Sequence, residues 1–171
     1  GSPSLSSTMT VTVNVLDADD LDPIFDQVKY TSKLPEIPGP DTGSPVRLAV
    51  PTSPSHILAR DGDRGIDARL HYSLVDSPAA SYFMIEPSSG GLYLTKHLDR
   101  EKLTDTTLTL HIRAEQIDNP QRVGSAVLEV RVEDVNDNLP EFEHDIYAIS
   151  IVENLPAGFS VVQVVAKDPD E

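Results

Sequence analysis

Short segments in which apolar and polar residues alternate recur along the chain. Residues 9–16 carry three valines at every second position, and the same period returns in residues 70–74, 108–114 and 126–132. Because successive side chains of a strand point to opposite faces, each segment predicts a half-buried β-strand. Residues 82–85 and 92–94 flank a turn rich in Ser and Gly and predict a hairpin. The pattern favours an all-β sandwich.

One acidic segment occurs twice. Residues 17–25 (DADDLDPIF) return as residues 134–142 (DVNDNLPEF), and the similarity extends to both sides of the segment. A repeat of this length corresponds to one small domain. We therefore predict one complete module at residues 23–139. Residues 1–22 would be the last strand and linker of a preceding module, and residues 140–171 the first part of a following one.

The charge of the chain limits its partners. Asp and Glu number 28 against 13 Lys and Arg, which gives a formal net charge of -15. A nucleic-acid-binding protein needs a basic face, so a nucleic-acid partner is not expected. Acids cluster at the two repeated segments, while valine-rich alternating segments lie between these clusters, and a cation that gathers carboxylates explains this placement. The chain has no Cys, which excludes disulfides and thiolate metal sites.

Sequence signatures of catalysis are weak. No Ser lies in a G-x-S-x-G motif, and the five His residues show no zinc-binding spacing. Paired carboxylates are also the machinery of glycosidases, which stay open as a remote alternative. Because the acids lie at the module ends, with no aromatic-rich segment to line a sugar cleft, we expect no enzymatic activity and no small-molecule substrate.

Short acidic motifs lie near both ends of the complete module. In residues 98–101 (LDRE) and 166–170 (AKDPD) two carboxylates are separated by a single residue. Alternate side chains of an extended backbone point to the same face, so each pair can aim at a common point. Such pairs are suited to chelating a cation.

These motifs are similar to the calcium-binding motifs of cadherin extracellular repeats. The resemblance covers the whole chain and rests on four segments, residues 98–101 (LDRE), 134–140 (DVNDNLP), 152–154 (VEN) and 166–170 (AKDPD). It implies a seven-stranded Greek-key β-sandwich of the immunoglobulin-like type. It also implies the ectodomain of a single-pass cell-surface protein that adheres in the presence of calcium. The Asp-Asp-Leu linker and an insertion before Asp61 look more like non-clustered protocadherins and cadherin-related proteins such as protocadherin-15.

The resemblance implies three calcium ions at the second junction, around residues 134–140. Their ligands would be side chains or carbonyl groups of Glu36, Asp99, Glu101, Val135, Asn136, Asp137, Asn138, Asp168 and Asp170. Six of these residues are carboxylates, whose charge three divalent ions would balance. An irregular set of oxygen ligands favours Ca²⁺ over Mg²⁺, which requires a tight octahedron, and over Zn²⁺, which prefers nitrogen or sulfur.

The first junction, around residues 17–23, departs from the family pattern. Its implied calcium ligands are Ala18, Asp19, Asp20, Leu21, Asp61, Asp63 and Asp67. Asp19 stands where the family has Asn, and Gln116 stands where the family has Asp. Both positions would face the same third ion, so the site keeps its charge with a different geometry. Asp118 could substitute for the missing carboxylate by a local shift.

Two functions are consistent with these inferences. In the first, the module is a calcium-stiffened spacer that holds successive repeats in line and bears tension. In the second, a face of the module is itself an adhesive surface for another cadherin ectodomain, of the same or a different kind. The candidate surface is the inserted loop at residues 38–54, which is rich in Pro, Gly and Ser.

Overall fold

The computed structural model describes residues 3–39, 46–63 and 65–170 of the chain. Within these residues the regular structure is almost entirely β. The strands are β1 (Ile24–Phe25), β2 (Lys29–Pro35), β3 (Leu48–Ala49), β4 (Ala59–Arg60), β5 (Leu70–Leu74), β6 (Phe83–Ile85), β7 (Leu92–Leu94), β8 (Thr107–Gln116), β9 (Val123–Glu133), β10 (Glu141–Phe142) and β11 (Ala166–Lys167). Two short 3₁₀ helices, Ala79–Tyr82 and Arg100–Lys102, connect strands.

The strands of the module form two main sheets. One has the order β2-β9-β8-β5 and the other the order β3-β7-β6, while β1 pairs separately with β4. The chain enters the second sheet first at β3 and is back in the first sheet at β5, then crosses again between β5 and β6 and returns between β7 and β8. Both sheets contribute to one hydrophobic core. The predicted β-sandwich is therefore confirmed, with four and three strands in its two main sheets.

The alternating sequence pattern is the reason that these strands pack as they do. Along β8, every second residue from Leu108 to Gln116 is buried, and along β9 the same holds from Gly124 to Val132. The predicted hairpin is also present as β6 and β7, which pair antiparallel around the turn at residues 86–91. At the end of the core near the first junction, the ring of Phe25 contacts those of Tyr30 and Tyr72 edge-to-face.

A parallel pairing connects the two ends of the module. Strand β2 runs parallel to β9, with Lys29 opposite Val127 and Pro35 opposite Glu133. The other strands of this sheet pair antiparallel. Because β2 and β9 end at the same edge of the sheet, the residues that follow them, Glu36 and Asp134, lie side by side. This arrangement positions the second junction.

Residues 9–16 do not form the strand that their sequence predicts. Val11, Val13 and Val15 are 68%, 77% and 91% exposed. A strand needs a neighbouring strand to accept its backbone hydrogen bonds, and no described residue pairs with this segment. The alternation therefore predicts which face of the strand would be buried. The strand forms and buries that face only when it pairs with a sheet.

The inserted segment is partly ordered as a sheet edge. Residues 48–49 form β3, which pairs with β7, and Ser53 bridges to Thr31 of β2. The sequence predicts loop or irregular edge structure for this stretch, and this part of it forms a sheet edge. Residues 40–45, at the centre of the candidate adhesive loop, lie outside the described residues.

Candidate metal centres

Glu36 organises the second junction. Its side chain is buried, with 4% exposed, and each carboxylate oxygen accepts a backbone hydrogen bond at 2.7 Å. Oε1 accepts from the N–H of Val135 and Oε2 from the N–H of Arg100. Its own N–H donates to the carbonyl of Glu133 at 2.9 Å. One residue thus joins the end of β2, the end of β9 and the turn that carries Asp99 and Glu101.

Two groups of carboxylates meet beside Glu36. Oxygen atoms of Glu36, Glu101 and Asp137 lie within 4.8 Å of one another, and so do those of Glu101, Asp134 and Asp170. Calcium binds oxygen at about 2.3–2.6 Å, so two ligands on one ion lie up to roughly 5 Å apart. Both groups fit that spacing. Because Glu101 belongs to both, the two candidate positions are adjacent.

Removal from water and mutual repulsion both raise pKa values in this cluster. Removal from water, together with the charges of Glu36, Asp170, Asp99 and Asp134, raises the pKa of Asp137. Removal from water and the charges of Glu36, Asp134 and Asp170 likewise raise the pKa of Glu101. Carboxylates that resist ionisation in each other's presence gain from a shared divalent cation.

Asn138 holds the following segment against the linker. Its backbone N–H donates to Asp170 Oδ2 at 2.8 Å, and its side-chain amide donates to Asp170 Oδ1 at 2.6 Å and to Asp137 Oδ1 at 2.9 Å. These bonds lower the pKa of Asp170. The pairing of β10 with β11 brings Asp170 to this position.

Some residues of the implied second site lie outside the two groups. Asp99 caps a 3₁₀ helix and forms an ion pair with Lys102, with 2.6 Å between Oδ2 and Nζ. Asp168 Oδ1 accepts the N–H of Asp170 at 3.2 Å. Val135 and Asn136 are exposed in the linker. Among the described acids, the clusters thus contain Glu36, Glu101, Asp137 and Asp170, four of the six predicted carboxylates.

Asp134 is a candidate ligand that the sequence analysis missed. Its Oδ2 pairs with Arg100 Nη1 at 2.9 Å, while its Oδ1 is buried without a hydrogen-bond partner. An unpartnered buried carboxylate oxygen is costly and is suited to a cation. The signal was available, because Asp134 and Asp17 are the first acids of the repeated segment.

The first junction contains one group of acids. Oxygen atoms of Asp19, Asp61 and Asp63 lie within 4.8 Å of one another, and Asp63 is buried. Asp63 Oδ2 accepts the N–H of Leu21 at 3.2 Å, and Asp61 Oδ2 accepts that of Ala68 at 2.8 Å. Removal from water is the main cause of the raised pKa of Asp63.

Amide donors complete this first cluster. Gln116 Nε2 donates to Asp19 Oδ1 and to Asp61 Oδ1, each at 2.9 Å, and Asn119 Nδ2 donates to Asp19 Oδ2 at 3.2 Å. These hydrogen bonds lower the pKa of Asp19. Four of the implied ligands are not part of this acidic group among the described residues: Ala18, Asp20, Leu21 and Asp67. The alternative ligand Asp118 is not part of it either.

Comparison with known proteins identifies the family. Residues 47–133 match the cadherin domain model, which is about half of the chain. The chain belongs to the cadherin family. It is 43% identical over 173 residues to Cadherin-89D of Drosophila melanogaster and 38% identical over 170 residues to human Protocadherin Fat 1, covering 100% and 99% of this chain. The resemblance inferred from the motifs is confirmed at the level of cadherins and protocadherins.

Solved cadherin structures share the fold. A crystal structure of repeats 22–24 of mouse Cadherin-23 superposes with a TM-score of 0.74 at 34% identity, covering 91% of this chain and 46% of that one. Cadherin domains are calcium-binding modules of adhesion proteins rather than enzymes. The chain spans only 8% of Cadherin-89D and 3% of Fat 1. Neither of the described 3₁₀ helices, nor any other described segment, forms a helix long and apolar enough to cross a bilayer.

Proposed function

We propose that the chain is part of the ectodomain of a calcium-dependent cell-adhesion protein. In this proposal Ca²⁺ bound at the two junctions holds successive cadherin repeats in line. The complete repeat is residues 23–139, flanked by the end of one repeat at residues 1–22 and the start of another at residues 140–171. The parent protein would be anchored by a single membrane span, and its partners would be other cadherin ectodomains.

The carboxylates gathered from separate segments at each end of the module support this proposal most directly. Glu36 and Glu101 lie in the body of the module, Asp137 in the linker at its end and Asp170 in the following segment. Without a cation, such a group repels itself and pushes the segments apart. A divalent ion attracts all of these carboxylates. The free energy of ion binding therefore also stabilises the contact between the two repeats.

The donor set supports calcium as the cation. All candidate ligands are oxygen atoms, and the linker adds backbone carbonyls and amide side chains. Extracellular calcium modules bind with dissociation constants of about 10⁻⁴–10⁻³ M. Sites of this kind fill outside cells and stay largely empty at cytosolic calcium concentrations, which is consistent with an extracellular role.

Calorimetric titration of Asp137→Ala tests the proposal. The polypeptide should contain both neighbouring repeats whole, because ligands of each site lie on both sides of a junction. We expect the variant to lose most binding at the second junction and to keep the first, since Asp137 lies in the acidic group with Glu36 and Glu101. Glu129→Gln is the control, because Glu129 is a surface acid paired with Lys29. An isotherm equal to that of the unmodified protein would contradict the assignment.

A further inference from the structure

Gln116 reaches into the acidic group of the first junction from the end of β8. Its side chain is 0% exposed, and its Nε2 lies 2.9 Å from oxygen atoms of both Asp19 and Asp61. Asp19 belongs to the linker and Asp61 to the module, so one amide group connects the two. A hydrogen-bond donor thus stands among carboxylates where a calcium ligand must present oxygen.

The other end of the same amide is unsatisfied. Gln116 Oε1 is buried and has no hydrogen-bond partner. A buried carbonyl oxygen without a partner destabilises the arrangement, because the water it has lost is not replaced. Amide oxygens of Asn and Gln are ligands that Ca²⁺ accepts. A half turn about the last side-chain bond would direct Oε1 at Asp19 and Asp61, an arrangement of three oxygens that a cation between them would stabilise.

Asn138 at the second junction provides a contrast. Its amide also donates to two carboxylates, those of Asp137 and Asp170. Asn138 lies in the linker and is partly exposed, so water can replace its hydrogen bonds when the side chain rotates. Gln116 is buried on a strand, where water cannot take over the same role.

We propose that Gln116 is an amide latch, which holds Asp19 to Asp61 without calcium and must release both before an ion binds between them. This inference rests on the proposed calcium-binding function of the junctions. Two consequences follow. The ion at this position binds more weakly than it would with a carboxylate at residue 116. In addition, the linker stays attached to the module when calcium falls, because Gln116 and Asn119 still hold Asp19.

Gln116→Asp tests the latch, again in a polypeptide with complete neighbouring repeats. The substitution removes the N–H donors and supplies a charged ligand. We expect calcium affinity at the first junction to rise about tenfold, because the affinity of oxygen-ligand sites increases with ligand charge. Without calcium the melting temperature should fall, since a fourth carboxylate joins Asp19, Asp61 and Asp63. Gln121→Asp is the matched control, because Gln121 is exposed in the turn after β8.

A second test uses the unmodified protein, so that the latch can be tested even if Gln116→Asp does not fold without calcium. In nitrogen–proton NMR spectra, we expect the side-chain N–H₂ group of Gln116 to exchange slowly with water without calcium, unlike that of Gln121. Calcium should shift this signal and speed its exchange as the latch opens. Equal exchange of the two glutamines without calcium, or a Gln116 signal that saturating calcium leaves unchanged, would overturn the latch.

The same titration separates failure of the latch from failure of the proposed function. Backbone signals of Leu21 and Val135 report on the first and second junctions. If calcium moves neither, the junctions do not bind calcium and the proposed function is contradicted. If the second junction binds normally while Gln116→Asp leaves the first unchanged or weakened, only the latch is contradicted.

Discussion

At the scale of single residues, acids of the same type have different roles because of what surrounds them. Glu36 is buried and accepts two backbone hydrogen bonds, so it supports the fold before it binds any ion. Asp137 is exposed and surrounded by negative charge, so it opposes the ion-free arrangement. Mutation should therefore separate a structural acid from a purely ligating one.

Glu36→Ala should destabilise the ion-free protein. It leaves the backbone N–H groups of Val135 and Arg100 without their partners, and each loss costs about 1–3 kcal/mol. We expect the free energy of unfolding to fall by about 2–6 kcal/mol in a urea titration with chelator present. Asp137→Ala should leave the ion-free stability unchanged or higher. Equal losses in the two variants would contradict this division of roles.

Acidity should differ among the carboxylates of the two junctions, and four of the five with a shifted pKa show the contrast. Without calcium, Asp137 and Glu101 should titrate above their ordinary pKa, and Asp170 and Asp19 below it. A raised pKa means that the folded state binds more protons than the unfolded state. Asp137 and Glu101 therefore lower the ion-free stability as pH rises through their pKa values.

Asp170 and Asp19 act in the opposite direction. Their stabilising contribution is present above the ordinary Asp pKa and is lost as pH falls through their lowered values. Carbon NMR of the side-chain carboxyl groups measures each titration separately. Saturating calcium should move the midpoints of Asp137 and Glu101 downward, because the ion favours the charged forms. A midpoint of Asp137 below the ordinary value without calcium would contradict its raised pKa.

At the scale of strands, close backbone approach determines where the linker meets the module. Gly124 lies near the start of β9, and a Cβ atom there would overlap the carbonyl oxygen of Pro23. Glycine therefore permits the end of the first linker to pass directly over β9. The alternating pattern of β9 requires a small buried side chain here but does not reveal what lies above it.

Gly124→Ala should destabilise the module by about 1–3 kcal/mol, the usual cost of overpacking. The backbone of Pro23 would have to move, and Asp22 and Leu21 would move with it. Urea unfolding measures the loss. Gly91→Ala is a matched control, because a Cβ atom there meets only ordinary van der Waals contacts. The idea of a close approach fails if both variants unfold at the same urea concentration.

At the scale of the whole molecule, the two junctions lie at opposite ends of one sandwich. The core between them is continuous from Phe25 to Val132. Each acidic group is attached to this core by hydrogen bonds to β-strand ends and turns. Calcium is therefore expected to change the angle and freedom between repeats rather than the sandwich itself.

Small-angle X-ray scattering of a polypeptide with complete neighbouring repeats should show this change. We expect a longer maximum dimension in millimolar calcium than in chelator, because bound ions hold successive repeats in line, whereas ion-free junctions can bend. Asp137→Ala should shorten the calcium form by loosening the second junction alone, while Glu129→Gln should behave like the unmodified protein. Scattering curves that do not respond to calcium would contradict the role as a calcium-stiffened spacer.

The sequence by itself determined the strands of β8 and β9, the hairpin of β6 and β7, the repeated junctions and the chemistry of their acids. These are local properties, carried by a two-residue period or by a short motif. Only the tertiary structure decided which acids meet. Glu36 reaches Val135 and Gln116 reaches Asp19 across 99 and 97 residues, through strand pairing that no local pattern specifies. The exposed valines of residues 9–16 show the same limit of local patterns. Their alternation predicts which face of a strand is apolar, but that face is buried only where the strand joins a sheet.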